Sequence, residues 1–136
     1  MLTTPRVAAS VTQVRVRYAE TDQMGVTYYA NYFVWFEVAR ADLLRACGWT
    51  YREMEAAGVR LPVIDAQCEY LRSTAYDEEL SVRTEGRVHS PVRIEFVYAI
   101  TKSDGTLAAR GRTVHAAVDV HGRPCRLPSR VREAFA

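Results

Sequence analysis

The sequence predicts an α+β fold in which a curved, five-stranded antiparallel sheet surrounds one long helix. Three observations carry this expectation. Residues 31–47 run without Gly or Pro and are apolar around most of a helical circumference, so that helix must be buried on several sides. Segments near 11–18, 79–88 and 92–101 alternate apolar and polar residues, the period of half-buried strands. The order is strand, helix, then four strands in a meander, with no repeat and no internal linker.

Each element has a local reason. Residues 1–10 read as a flexible leader to a single domain at 11–136. In 11–18, Val14, Val16 and Tyr18 oppose Gln13, Arg15 and Arg17. A turn-rich stretch centred on Gly25 leads into the helix, and Gly48 stands where a glycine closes a helix in the left-handed conformation. A second, shorter helix fits 50–57, stopped by Gly58. Strands follow at 61–72, 79–88, 92–101 and 107–120, with a hairpin turn at Ser103-Asp104-Gly105. Ser129 is placed to cap a short terminal helix.

Composition bounds the function. The 136 residues hold 18 basic and 16 acidic side chains, a formal charge of +2, which argues against an electrostatic nucleic-acid coat. All the basic residues except Lys102 are Arg, the better bidentate ligand for phosphate and also a product of GC-rich coding. No apolar run is long enough to insert into a membrane, and the first ten residues lack the apolar centre of a secretory signal. Cys47, Cys68 and Cys125 are widely spaced, and His89, His115 and His121 are unclustered. The reading is a reduced, cytoplasmic protein with no metal site and no cofactor.

The chemistry concentrates in Tyr18-Ala19-Glu20-Thr21-Asp22-Gln23-Met24-Gly25-Val26-Thr27-Tyr28-Tyr29-Ala30-Asn31-Tyr32. It bridges a strand end and a helix start. Free backbone N–H groups at a helix start stabilise an anion and can polarise a substrate carbonyl. Asp22 beside such a terminus supplies a carboxylate and an electrophilic clamp together, the minimum for hydrolysing an activated acyl compound. On the residues alone, a cap or Asx-turn role for Asp22 stands beside the catalytic one.

The run Y-A-E-T-D-Q-M-G-V-T-Y-Y-A-N-Y-F-V-W-F-E resembles the signature of the 4-hydroxybenzoyl-CoA thioesterase-like family of hot-dog-fold acyl-CoA thioesterases, in particular its Tol–Pal-associated bacterial branch. The resemblance extends through Leu71-Arg72-Ser73, Tyr76-Asp77 and Ser90 to Phe96, and covers roughly residues 12–120. It implies a hot-dog fold and an acyl-CoA substrate. It also implies Asp22 as the catalytic carboxylate, either nucleophile or general base. The polarising helix-start N–H falls on Tyr29, where many relatives of that branch carry His, so any imidazole role is missing here. Gly25 serves the turn, through a positive φ or through close approach of the thioester to the main chain.

Other residues carry two readings each. Tyr28 and Tyr32 line an acyl pocket or pack as core or interface aromatics; Asn31 orients the substrate carbonyl or water, or caps the helix. Arg72 and Arg93, with Arg60 and Arg87, are CoA phosphate ligands or ordinary strand arginines. Glu37 is expected to pair with Arg40 or another buried Arg. Cys47 and Cys68 read as small core residues. A homodimer or homotetramer is expected, because a chain of this length buries a modest core alone. The alternative to an enzyme is an acyl-CoA or acyl-carrier binding and scaffold protein on the same fold. A dehydratase is disfavoured, because no His lies between residues 18 and 37.

Overall fold

The computed structural model describes residues 9–136. The elements are β1 (Ala9–Arg15), a single 3-10 turn (Tyr18–Glu20), α1 (Asn31–Ala46), α2 (Tyr51–Ala56), β2 (Val63–Tyr70), β3 (Glu79–Ser90), β4 (Arg93–Lys102), β5 (Leu107–Ala116) and α3 (Ser129–Phe135). The five strands form one antiparallel sheet in the order β1-β3-β4-β5-β2, with α1 packed against its inner face. The α+β class and the helix-against-sheet arrangement agree with the expectation.

Helix α1 forms because its apolar residues recur at helical spacing. Tyr32, Trp35, Phe36, Ala39, Leu43 and Leu44 are buried on one side. Burying each large side chain contributes about 1.5–3 kcal/mol. Gly48, at φ 79°, ends the helix by letting its N–H and that of Trp49 return to the Arg45 and Leu44 carbonyls. In α2, the Thr50 hydroxyl accepts the Glu53 N–H at 3.1 Å as an N-cap. The core joins α1 to inward residues of three strands, among them Leu80, Val82, Ile94, Phe96 and Ala109. Phe36 stacks on Tyr98 at 4.2 Å.

Several expectations change. The meander contains three strands, β3-β4-β5, because β2 crosses to the far edge and pairs with β5 instead of β3. Strand β1 runs in register from Ala9↔Glu85 to Arg15↔Glu79 and stops before Tyr18, which sits exposed in the 3-10 turn. The expected leader lies outside the described residues except for Ala9 and Ser10, which already belong to β1. Strand β5 ends at Ala116, after which an isolated bridge joins Val118 to Arg60. Pro128, not Ser129, occupies the cap position of α3. Finally, α1 is not enclosed: Val34, Glu37 and Val38 form an exposed stripe beside β2, itself exposed along nearly its whole length.

Candidate active site

The segment between β1 and α1 is held from behind by Glu20. Its carboxylate is buried and accepts the Arg17 N–H at 2.8 Å and the Trp35 indole N–H at 3.1 Å. Its carbonyl accepts the Tyr28 N–H at 2.7 Å and the Asn31 side-chain amide at 3.2 Å. Thr27 completes the frame: its N–H reaches the Thr74 carbonyl at 2.7 Å and its hydroxyl meets that of Thr74 at 2.6 Å.

Within this frame Asp22 forms a tight loop. Its N–H bonds the Val26 carbonyl at 2.8 Å, its carbonyl accepts the Gly25 N–H at 3.0 Å, and its Oδ1 accepts the Met24 N–H at 2.8 Å. Gly25 takes φ 82°, and a Cβ there would meet nothing within 4 Å. Of the two reasons expected for a glycine here, the positive φ is the one the backbone shows. The Asx-turn reading of Asp22 is therefore realised through Oδ1, while no described residue bonds Oδ2.

Asp22, Tyr29, Tyr32, Tyr70, Leu71 and Arg72 line one cleft of about 310 Å³ at the start of α1. The backbone bonds of the helix entry run from Asn31 N–H to the Tyr28 carbonyl and from Tyr32 N–H to the Tyr29 carbonyl. The Tyr29 N–H has no backbone acceptor among the described residues. Tyr70 donates its phenol to the Tyr29 carbonyl at 2.9 Å and sets its ring edge-on to Tyr32 at 4.9 Å. The Tyr32 hydroxyl meets Thr74 at 3.0 Å. Burial pushes the Tyr32 and Tyr70 phenols up, with the neighbouring Cys68 adding to the shift at Tyr70, so both remain protonated donors at neutral pH. An exposed-side carboxylate, an unengaged N–H at a helix start and neutral hydroxyls together can hold and attack a polarised acyl carbonyl.

The structure thus brings together Asp22, Tyr29, Tyr32 and Arg72. Arg72 is exposed and donates to the Leu71 carbonyl at 2.8 Å. Tyr28 lies outside the cleft, its ring 4.8 Å from that of Tyr29, whose phenol raises its own. Asn31 is not the cap: Ala30 holds that position, and Asn31 is the first helical residue, tied to Glu20. Arg93 sits at the other end of the sheet, paired with Ser90 and Ala116, whereas the cleft adjoins the Tyr70–Ala109 end. Glu37 is exposed and makes no ion pair among the described residues; Arg40 bonds phenols instead, Tyr51 at 3.0 Å and Tyr98 at 3.5 Å. Cys47 is buried and Cys68 half-buried against the core.

Sequence reasoning passed over Glu20, Tyr70 and Thr74. Tyr70 had a signal, since it directly precedes the Leu71-Arg72-Ser73 element. Nothing local distinguishes Glu20 from other turn carboxylates. Among the described residues no group of His, Cys, Asp or Glu could hold a metal ion, and no helix is long and apolar enough to cross a membrane.

Comparison with known proteins adds to this geometry. YneP of Bacillus subtilis is 37% identical over 123 residues, 90% of this chain and 87% of its own length. The acyl-CoA thioester hydrolase YbgC of Escherichia coli is 28% identical over 123 residues, 90% of this chain and 92% of its own. A DHNA-CoA thioesterase from Staphylococcus aureus superimposes with a TM-score of 0.84 at 39% identity, covering 88% of this chain and 80% of its own. Residues 16–135, from the end of β1 through α3, match one family, and the chain belongs to the thioesterase-like superfamily.

Proposed function

We propose that this chain is an acyl-CoA thioesterase, hydrolysing an acyl-CoA thioester to free acid and CoA. The observation that carries the reading is that Asp22 and the unengaged Tyr29 N–H line one cleft at the start of α1. The thioester carbonyl oxygen accepts the Tyr29 N–H, and the helix start stabilises the oxyanion that develops there. Asp22 acts in one of two ways. As general base it takes a proton from water while the water oxygen bonds the acyl carbon. As nucleophile it bonds that carbon itself, giving a mixed anhydride that water then cleaves. In both routes the C–S bond breaks and the CoA thiolate leaves and regains a proton. The chemistry needs neither metal nor cofactor.

In this reading Tyr32 flanks the acyl group, Tyr28 packs on Tyr29 outside the cleft, Gly25 and Asn31 fix the loop, and Arg72 meets a CoA phosphate. Arg93 reaches a cleft only from a second subunit. A homodimer, itself able to pair into a tetramer, is supported by the exposed edge strand β2 next to the Val34–Val38 stripe, since an open, partly apolar edge invites strand pairing. A cytoplasmic setting, a single domain over 11–136 and membership of the Tol–Pal-associated branch complete the proposal.

The test is thiol release from short, long and benzoyl-type acyl-CoA thioesters, with Asp22→Asn beside the wild type. Activity that falls at least a hundredfold in Asp22→Asn, with the fold intact, supports the assignment; near-wild-type turnover rejects it. The phenol at position 29, in place of the imidazole of many relatives, favours the second reading, a non-enzymatic acyl-CoA binding protein. That reading gains if no thioester is cleaved while a non-hydrolysable CoA analogue binds.

A further inference from the structure

Arg40 is a buried cation without a counter-ion. Its side chain projects from α1 into the core with the residue 9% exposed, and no carboxylate lies within ion-pair distance among the described residues. Its neighbours form a one-way chain of donors. Arg40 donates to the Tyr98 hydroxyl, which meets Thr113 at 2.6 Å; Thr113 meets His115 Nε2 at 2.9 Å; His115 Nδ1 meets the Leu61 carbonyl at 2.9 Å. A carbonyl can only accept, so His115 Nδ1 carries the proton and Nε2 accepts from Thr113. Thr113 in turn accepts from Tyr98, and Tyr98 from Arg40. Every acceptor in the chain is neutral.

Two of the five guanidinium donors are engaged, and Tyr51, which accepts from Arg40 Nε, keeps its own O–H to give. Arg40 and Tyr51 border a cavity of about 450 Å³ that shares no lining residue with the Asp22 cleft. With Arg40, Arg60, Glu37 and Glu55 the walls carry no net charge, so an anion there is held by the local Arg40 and Tyr51 donors. Val59, Leu61, Pro62 and Val118 make the remainder apolar. A buried charge is costly until it is paired and hydrogen-bonded.

We infer that Arg40 and Tyr51 form a second binding site, for a monocarboxylate with an apolar body. One carboxylate oxygen takes the free Arg40 N–H groups, the other the Tyr51 O–H, and the hydrocarbon lies along Val59 and Leu61. This site stands independently of the thioesterase reading, and its test reads no turnover.

The test is calorimetric titration of the full chain with octanoate and with benzoate, in buffer free of other carboxylates. Saturable binding to the wild type, weakened about fivefold in Tyr51→Phe by the loss of one hydrogen bond and abolished in Arg40→Met, is the expected result. Should Arg40→Met fail to fold, Tyr51→Phe carries the test. Absence of saturable binding overturns the site, as does binding unchanged in Tyr51→Phe. Displacement of the acid by chloride or phosphate makes it an inorganic-anion site and overturns the carboxylate assignment. Binding that appears only in Glu37→Gln makes Glu37 the internal counter-ion. Loss of binding in Asp22→Asn but not in Tyr51→Phe moves the acid to the catalytic cleft.

Discussion

The Tyr70 phenol, at the end of an edge strand, holds the Tyr29 carbonyl at 2.9 Å, on the residue whose N–H has no backbone acceptor among the described residues. One hydrogen bond thereby couples the sheet margin to the orientation of the helix entry. Tyr70→Phe keeps the ring against Tyr32 and removes that bond together with the phenol's contact to Cys68. The expected outcome is a fall in kcat of about tenfold with KM nearly unchanged, and a stability loss of about 1 kcal/mol in urea melts. A change confined to KM would place Tyr70 in substrate binding instead.

In the proposed mechanism the polarising group at position 29 is backbone, which makes the side chain dispensable and the N–H essential. Tyr29→Phe is expected to retain activity within a few-fold. Tyr29→Pro removes the donor, and turnover should drop by about a hundred- to a thousandfold, as for loss of an oxyanion-hole contact. Acyl-CoA hydrolysis, with circular dichroism to verify the fold, distinguishes the two.

Burial holds the His115 imidazole down to about 4 from its ordinary 6.5, with the nearby Arg40 charge acting in the same direction. The fold therefore accepts neutral His115 and resists its protonation. Its contribution to stability is complete above pH 6.5 and is lost as pH falls towards 4, because the unfolded chain takes up the proton first. Between pH 7.5 and pH 5 this amounts to about 2 kcal/mol. Urea melts at both values should show His115→Gln lacking that share of the wild-type pH dependence.

Two half-buried sheet glycines should differ in tolerance. A Cβ on Gly111 would lie 2.6 Å from both the Gln67 carbonyl oxygen and the Phe36 ring, so backbone in β2 would have to move. Gly111→Ala should cost about 1–3 kcal/mol and disturb the β2–β5 edge. A Cβ on Gly86 meets only the Phe135 ring, also at 2.6 Å, and that ring belongs to the short terminal helix. Gly86→Ala should be the milder substitution in a thermal melt.

What was legible in the sequence was what is encoded locally. The span of α1, its Gly48 stop and the Asp104-Gly105 turn follow from periodicity and turn chemistry, and the structure has all three. The place of Asp22 before a helix start was equally readable. The neighbour of β2 was not, since its pairing with β5 joins residues 39 to 52 positions apart and nothing local names the partner. The same distance hides the Tyr70–Tyr29 bond. Asn31 has the chemistry of a cap, but Glu20 claims its amide and the turn begins one residue earlier. Arg93 has a motif-like position, yet the register carries it to the opposite end of the sheet.

The strand order also dictates when the cleft can exist during folding. Hairpins β3-β4 and β4-β5 close over short loops, whereas β1 must find β3 across the whole of α1 and α2, and β2 must find β5 past two intervening strands. Loop-closure entropy favours the short hairpins first and the distant partners last. The Asp22 loop hangs from β1 on one side, and the opposite wall of its cleft follows the end of β2. Both flanks thus belong to the late-arriving strands, so partly folded chains have a sheet centre before they have the Asp22 cleft. Activity, regained on dilution from urea, should accordingly trail the return of strand signal.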